Sequence, residues 1–326
     1  MSFKVVMPDT IFPDYSIERD VLRRELDIDL VTGQGPEASA LIEACKDADA
    51  IVTVYGDFNR DVIEQLEKCK IIVRTGIGVN NIDIEAATEK GIYVVNVPDY
   101  CWDEVSDHAI SMAFTLLRQL HVYDKKMKEA IWDVHSKQNR ILRFNTLTFG
   151  LIGFGNIPKV VAQKLKPFGF TINVSDPFVK EEDAKQFGVN LVDLETLLKT
   201  SDVVSVHAPL IKATHHMLNK ETIALMKENA IVINTARGPL INTEDLIDAL
   251  KSGKIAGAGL DVLEKEPPTA EDEILKLDNV ILSPHAAFYS EQSEDQLRES
   301  SFMEVVRVLK GEKPKHPVNK PFETAK

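Results

Sequence analysis

A doubly wound parallel α/β fold, repeated in two domains, is what this sequence predicts, on three observations. Short β-rich apolar runs alternate with helical patterns through the first hundred residues. A strand, a glycine turn, a helix, a second strand and an acid then follow one another between 147 and 176. The 326 residues, 44% of them hydrophobic, hold enough apolar material for two cores.

Taken in order, Phe3 to Met7, Ile28 to Val31, Ala50 to Val54, Ile71 to Val73 and Ile92 to Val95 read as strands. Between them Ile17 to Leu26, Glu37 to Cys45, Arg60 to Lys68 and Ile84 to Lys90 read as helices, the last stopped by Gly91. The first strand ends in Pro8-Asp9 rather than glycines, so this unit is not expected to hold a nucleotide. Asp103 is expected to cap one long helix to about Lys128, with Ala109, Met112, Ala113, Leu116, Leu117 and Leu120 as its apolar stripe. Residues 129–146 mix charges without periodicity and read as an exposed loop.

The second unit opens with LTFGLIGFGNIPKVVAQKLKPFGFTINVSD. Gly153 and Gly155 permit a tight turn and close backbone approach to a pyrophosphate seated on the following helix N-terminus. Asp176, about twenty residues on, can accept hydrogen bonds from ribose hydroxyls and disfavours a 2′-phosphate. Pro158 stands where a third glycine is usual, which the first turn of a helix tolerates. Val203 to Val206, Ala230 to Asn234, Ala256 to Asp261 and Val280 to Leu282 supply further strands. Asp193 to Lys199, Lys220 to Lys227 and Thr243 to Lys251, capped by Asn242, supply helices. Gln292 to Leu309 reads as a terminal helix that returns to the first domain and makes it discontinuous.

The formal charge of −13 argues against nucleic acid or an anionic membrane as partner. No apolar run approaches the roughly twenty residues of a membrane-spanning helix, and MSFKVVMPDT carries no signal-peptide pattern. Cys45, Cys69 and Cys101 have no metal spacing, and their odd number reads as reduced thiols in a cytoplasmic protein.

In a doubly wound sheet, ligands collect at the carboxyl ends of the strands. There the sequence sets His207-Ala208-Pro209, Thr235-Ala236-Arg237-Gly238, Asp261 with Glu264 and Glu266 beyond it, and Ser283-Pro284-His285. An Arg, an acid and a His on one rim suit hydride transfer to a 2-oxo acid. The Arg binds a carboxylate and polarises the adjacent carbonyl, the His donates the proton a developing alkoxide needs, and a Glu fixes the ring and stabilises the imidazolium. No metal is called for. His207 and Pro209 read as cofactor-side or structural rather than catalytic, Ala236 as a cofactor-side backbone contact. His215-His216 reads as a solvated turn and Cys101 as a small buried thiol. Spacing does not decide between Glu264 and Glu266.

At this point the chain resembles the D-isomer-specific 2-hydroxyacid dehydrogenases over nearly its whole length, most of all the branch holding the C-terminal-binding proteins and their bacterial relatives. The resemblance lies in VRTGIGVNNIDIEAATEKGI, NVPDYCWDEVSDHAI, GFGNIP with Asp176, NTARGPL, GAGLDVLEKEPP, SPHAAFYSEQS and VNKPF. It implies a flavodoxin-like substrate-binding domain over 1–101 and 290–326, and an inserted Rossmann NAD-binding domain over 102–289. By the same resemblance Arg237 orients substrate, His285 is the general acid/base and Glu266, not Glu264, pairs with it. Arg74 with the backbone of Gly76, Ile77 and Gly78 takes the substrate carboxylate. Asn156, Ile157, Asp176, Thr235, Asp261 and Ala287 fall at cofactor contacts, and the helix after Asp103 at the one that supports homodimers.

The implied activity is reversible hydride transfer between NADH and a 2-oxo acid. Phosphoglycerate is the alternative substrate, for which no basic phosphate pocket or additional regulatory domain is visible. An NAD(H)-responsive binding protein like the corepressors is the alternative of another class, and a formate-type dehydrogenase a third. Phe288, where the corepressors have Trp, separates this chain from their substrate preference. Tyr100, Trp102, Phe288 and Tyr289 point to an apolar or aromatic group on the substrate.

Overall fold

The structure, a computed structural model, describes residues 3–33, 35–135 and 141–321. Residues 136–140 of the expected loop and Phe322 of the final quoted stretch lie outside them. The chain divides into two compact units, 1–101 with 290–326, and 102–289.

The first unit is a five-stranded parallel sheet in the order β2-β1-β3-β4-β5. Its strands are β1 (Val5–Met7), β2 (Leu30–Thr32), β3 (Ala50–Thr53), β4 (Ile71–Arg74) and β5 (Tyr93–Val95). The helices α1 (Ser16–Leu26), α2 (Ala38–Cys45), α3 (Arg60–Glu64) and α4 (Ile84–Glu89) connect them. Runs apolar on successive positions, such as IIV in β4, are what a sheet covered on both faces requires. Leu41, Val62, Ile63 and Ala86 from α2 to α4 pack with Val6, Ile51 and Ile72 on one face. On the other, the final helix of the chain lies against α1, β3 and β4. That helix, α12 (Glu291–Leu309), is opened by a reciprocal Ser290–Ser293 cap and buries Leu297, Phe302, Val305 and Val306. Arg298 on α12 and Glu18 on α1 form a buried ion pair at 2.7 Å. Asn319 then receives the β5 Val94 N–H and donates to Ile92 O, fixing the last described segment along the sheet edge.

The second unit opens with α5 (Trp102–Leu117) and α6 (Leu120–Lys128). Its seven parallel strands run β12-β11-β10-β9-β6-β7-β8. They are β6 (Thr148–Ile152), β7 (Thr171–Ser175), β8 (Asn190–Leu191), β9 (Val203–Val206), β10 (Ile231–Asn234), β11 (Gly257–Leu260) and β12 (Val280–Leu282). The helices α7 (Asn156–Leu165), α8 (Glu181–Phe187), α9 (Leu194–Thr200), α10 (Lys220–Leu225) and α11 (Thr243–Lys251) return the chain. One face of the sheet is covered by α5, α7 and α8, the other by α9, α10 and α11. Strand order reverses between β6 and β9, the switch point where an open α/β sheet leaves its crevice.

The structure corrects three element expectations and adds two elements. The long helix after Asp103 breaks in two: Gln119 adopts φ 52°, and its N–H turns back to Leu116 O, which ends α5 and restarts the chain as α6. Asp103 lies inside the first turn of α5 rather than capping it. The helix from Arg60 stops at Glu64, where the Lys90 ammonium reaches the carbonyls of Ile63, Glu64 and Leu66 and ends it from outside. The short α8 and two-residue β8 carry too little apolar periodicity to be read from sequence.

Candidate active site

Strand register sets the geometry of the second unit's rim. Ile152 pairs with Ser175 and Val206, Val206 with Asn234, Asn234 with Leu260 and Leu260 with Leu282. One residue further along, Asp176, Gly153, His207, Thr235, Asp261 and Ser283 therefore stand in a row across the carboxyl edge. Almost every residue singled out in this domain lies in that row or within a few positions of it.

At the switch point, Gly153 has φ 91°, and a Cβ there would meet the His207 carbonyl at 3.0 Å. The β6 and β9 ends approach this closely only because position 153 has no side chain. Gly155 is different: its φ is ordinary, and a Cβ would find nothing within 4 Å. The space it leaves lies over the N-terminus of α7, where Asn156 and Ile157 contribute the first N–H groups. Pro158 is buried in that first turn, where no N–H is required, so the glycine's replacement leaves the helix intact. Asp176 accepts the Phe154 N–H at 2.8 Å with one oxygen and the Phe178 N–H at 2.9 Å with the other. The acid at the end of β7 thus also fastens the glycine turn.

Next along the rim, the half-buried His207 ring is 2.8 Å from Ser205 Oγ, and burial pushes its pKa down to about 4. Pro209 is exposed, with its carbonyl accepting from Thr214. Thr235 is buried, and its hydroxyl has no hydrogen-bond partner among the described residues. A buried orphan hydroxyl on the rim and an open cradle over a helix N-terminus both suit a dinucleotide.

The Asn234 side chain holds the turn after β10, accepting from Ala236 N and donating to Arg237 O. Gly238 presses against the backbone of Leu263, where a Cβ would come within 1.9 Å of the carbonyl oxygen. Arg237 is thereby held beside the loop that carries both candidate acids. These separate cleanly in space. Glu264 pairs with His216 at 2.5 Å and accepts Thr243 N–H, whereas Glu266 is 2.8 Å from His285 Nδ1. Burial raises the Glu266 carboxyl, but the His285 hydrogen bond, the Leu263 N–H and the His285 and Arg237 charges together bring it below the usual carboxylate range. His216, read from sequence as a solvated turn, is instead tied into this second His–Glu pair.

Asp261 is the residue whose surroundings the sequence did not disclose. Its carboxylate is buried and accepts Ser283 Oγ–H at 2.6 Å, Ala286 N–H at 2.8 Å and Ala287 N–H at 3.0 Å. It organises the turn holding His285, whose own N–H donates to Asp261 O.

In the first unit, Arg74 ends β4 and folds over Gly76 (φ 134°), where a Cβ would lie 1.7 Å from its guanidinium nitrogen. Val97 N–H to Gly76 O and Asn96 Nδ2 to Ile77 O hold the Gly76-Ile77-Gly78 loop. Asp9, read only as a non-nucleotide turn, is buried and accepts the N–H groups of Val54, Tyr55 and Gly56. It fixes the neighbouring loop after β3.

Residues 110–287 match the family model described as D-isomer specific 2-hydroxyacid dehydrogenase, NAD binding domain. The chain is 39% identical over 320 residues to a D-3-phosphoglycerate dehydrogenase of Methanocaldococcus jannaschii, covering 98% of this chain but only 60% of that one. It is 36% identical over 302 residues to a glyoxylate reductase of Korarchaeum cryptofilum, covering 91% of each. Among solved structures, the Aquifex aeolicus D-lactate dehydrogenase complexed with NAD and lactic acid superposes with a TM-score of 0.86 at 32% identity, over 94% of this chain and 96% of that one. No described helix is long and apolar enough to cross a membrane.

Proposed function

Since this chain belongs to the D-isomer-specific 2-hydroxyacid dehydrogenases, we propose that it interconverts a 2-oxo acid and the D-2-hydroxy acid with NAD(H). The observation that carries this is the His285–Glu266 pair at 2.8 Å on the strand-end rim that also bears Arg237. NADH, when bound, supplies the hydride. Arg237 orients the substrate through its carboxylate and polarises the carbonyl about to be reduced. His285 binds Glu266 through Nδ1, which leaves Nε2 to give the proton to the developing alkoxide and to take it back in the oxidative direction. Glu266 fixes that ring and balances its charge while protonated. Arg74 and the backbone of Gly76, Ile77 and Gly78 are assigned to the substrate carboxylate. Gly153, Gly155, Asn156 and Ile157 are assigned to the pyrophosphate, and Asp176 to the adenosine ribose. His207, Pro209, Thr235, Ala236, Asp261 and Ala287 are assigned to the remainder of the cofactor.

The test is NADH oxidation against glyoxylate, hydroxypyruvate, pyruvate, 4-methyl-2-oxopentanoate, phenylpyruvate and phosphohydroxypyruvate. We expect turnover of at least one unphosphorylated acid, and a loss of about a thousandfold in kcat for His285→Ala. NADH binding without turnover of any of them would overturn the enzyme reading in favour of an NAD(H)-responsive binding protein. Turnover of phosphohydroxypyruvate alone would move the substrate to the phosphoglycerate class, which the similarity to the Methanocaldococcus enzyme makes the second reading.

We read the working form as a homodimer. The α6 helix buries none of its residues, and Trp132 (89% exposed) and Val134 (72% exposed) follow it into solvent with Leu120 and Met127, an apolar strip that a second copy would cover. The three cysteines are buried and outside any disulfide, in keeping with the reducing cytoplasm in which we place the protein.

A further inference from the structure

The turn that carries His285 is supported, through Asp261, by two side chains that the proposed reaction leaves without a role, Ser283 and His108. His285 has φ 55°, a backbone region that a residue with a side chain rarely adopts. Its N–H points to Asp261 O at 2.8 Å, and the next two N–H groups, of Ala286 and Ala287, both point to the Asp261 carboxylate. That carboxylate therefore sets the direction in which the His285 side chain leaves the backbone.

Asp261 is in turn supported from a distant part of the chain. Ser283 Oγ is 2.6 Å from Asp261 Oδ1, and His108 Nε2, on α5, is 2.8 Å from the same Ser283 Oγ. Counting hydrogens fixes the direction of both bonds. An ionised carboxylate has no hydrogen to give, so the single Ser283 hydroxyl hydrogen goes to Asp261. The Ser283 oxygen must then accept from His108, which carries its hydrogen on Nε2. Two donors in series thus lead from α5 to the buried acid, with His108 Nε2 itself 3.7 Å from Asp261 Oδ1. A buried carboxylate deprived of a donor is poorly satisfied and draws on whatever donors remain, here the N–H groups of the catalytic turn.

We propose that His108 and Ser283 are positioning residues for His285, acting through Asp261: they complete the donor set of the buried carboxylate so that the turn over 283–287 holds the imidazole on its productive axis. The inference rests on the reading of His285 as the proton donor. It predicts a defect in proton transfer larger than any in cofactor binding, because the turn that carries His285 hangs on the Asp261 carboxylate through the Ala286 and Ala287 N–H groups.

The experiment measures kcat, KM for NADH and the thermal midpoint in the full chain, with the fastest 2-oxo acid of the panel above. Ser283→Ala and His108→Ala should each lower kcat about ten- to thirtyfold while KM for NADH changes less than about threefold. Ser283→Thr, which restores the hydroxyl, and His108→Gln, which returns an N–H near the Nε2 position, should recover kcat to within about threefold of the native chain. A kcat within twofold of native in both alanine variants, an effect confined to KM for NADH, or a failure of Thr and Gln to rescue would each overturn the proposal. If Ser283→Ala does not fold, the two His108 variants decide by the same criteria. His285→Ala is measured alongside. An inactive His285→Ala with native-like Ser283 and His108 variants sinks the positioning inference alone, whereas an active His285→Ala sinks the proton-donor reading beneath it.

Discussion

A side chain at position 155 would touch nothing within 4 Å of its first carbon, yet it would stand where a pyrophosphate must lie against the first turn of α7. Gly155→Val should therefore raise the Kd for NADH by at least about tenfold while moving the thermal midpoint by less than about 2 °C. Titration by fluorescence and a melting curve measure the two halves. Gly153 would behave otherwise, since its positive φ and the 3.0 Å approach to His207 make any replacement a folding defect. His207 gives a pH signature. Its pKa, pushed down to about 4 by burial, means that the folded chain binds fewer protons than the unfolded chain between there and the ordinary value of 6.5. Stability is then complete above that window and declines as pH falls through it, by at most on the order of 3 kcal/mol. His207→Asn should flatten that part of a urea-midpoint profile, and an unchanged slope would show that the ring is solvated.

At the scale of elements, α12 is held to α1 by Arg298 and Glu18, 4% and 0% exposed. Removing one partner strands a buried charge, so Arg298→Ala should cost about 3–5 kcal/mol, whereas the apolar pair Glu18→Leu with Arg298→Met should come close to neutral. Chemical denaturation of the single and double variants separates a charge effect from a packing effect. How legible each element was follows from what determines it. The strands of both sheets, β8 apart, were readable because a buried parallel strand is largely apolar, as VVSV and IVIN are with one polar residue each. The end of α3 and the break at Gln119 were not. One depends on a lysine reaching across from α4, the other on a left-handed residue that is not glycine. The glycine turn, Arg237 and His285 stood in the sequence because strand-end positions carry function. Spacing did not separate Glu264 from Glu266, which only the family resemblance did in sequence, since two acids two residues apart differ only in where the loop turns them.

For the molecule as a whole, the apolar strip after α5 carries the prediction that belongs to assembly. Trp132→Asp should shift sedimentation from a dimer to a monomer, and a native chain that already sediments as a monomer would refute the homodimer. The two-unit organisation was visible as two runs of alternating strand and helix. The buried scaffolds at Asp9 and Asp261 were not, because each is one acid whose partners, a hydroxyl and backbone N–H groups, come from elsewhere in the chain. The place of α12 also bears on how the protein is made. The first nine of the first unit's ten regular elements leave the ribosome early, but the face of its sheet formed by β3 and β4 stays uncovered until α12 emerges nearly two hundred residues later. The inserted unit is one continuous stretch, 102 to 289, with a sheet and helices of its own, and can complete itself in the meantime. During synthesis the nascent chain thus carries a finished nucleotide domain beside an unfinished neighbour, and the exposed strands of that neighbour are the surface a chaperone would have to guard.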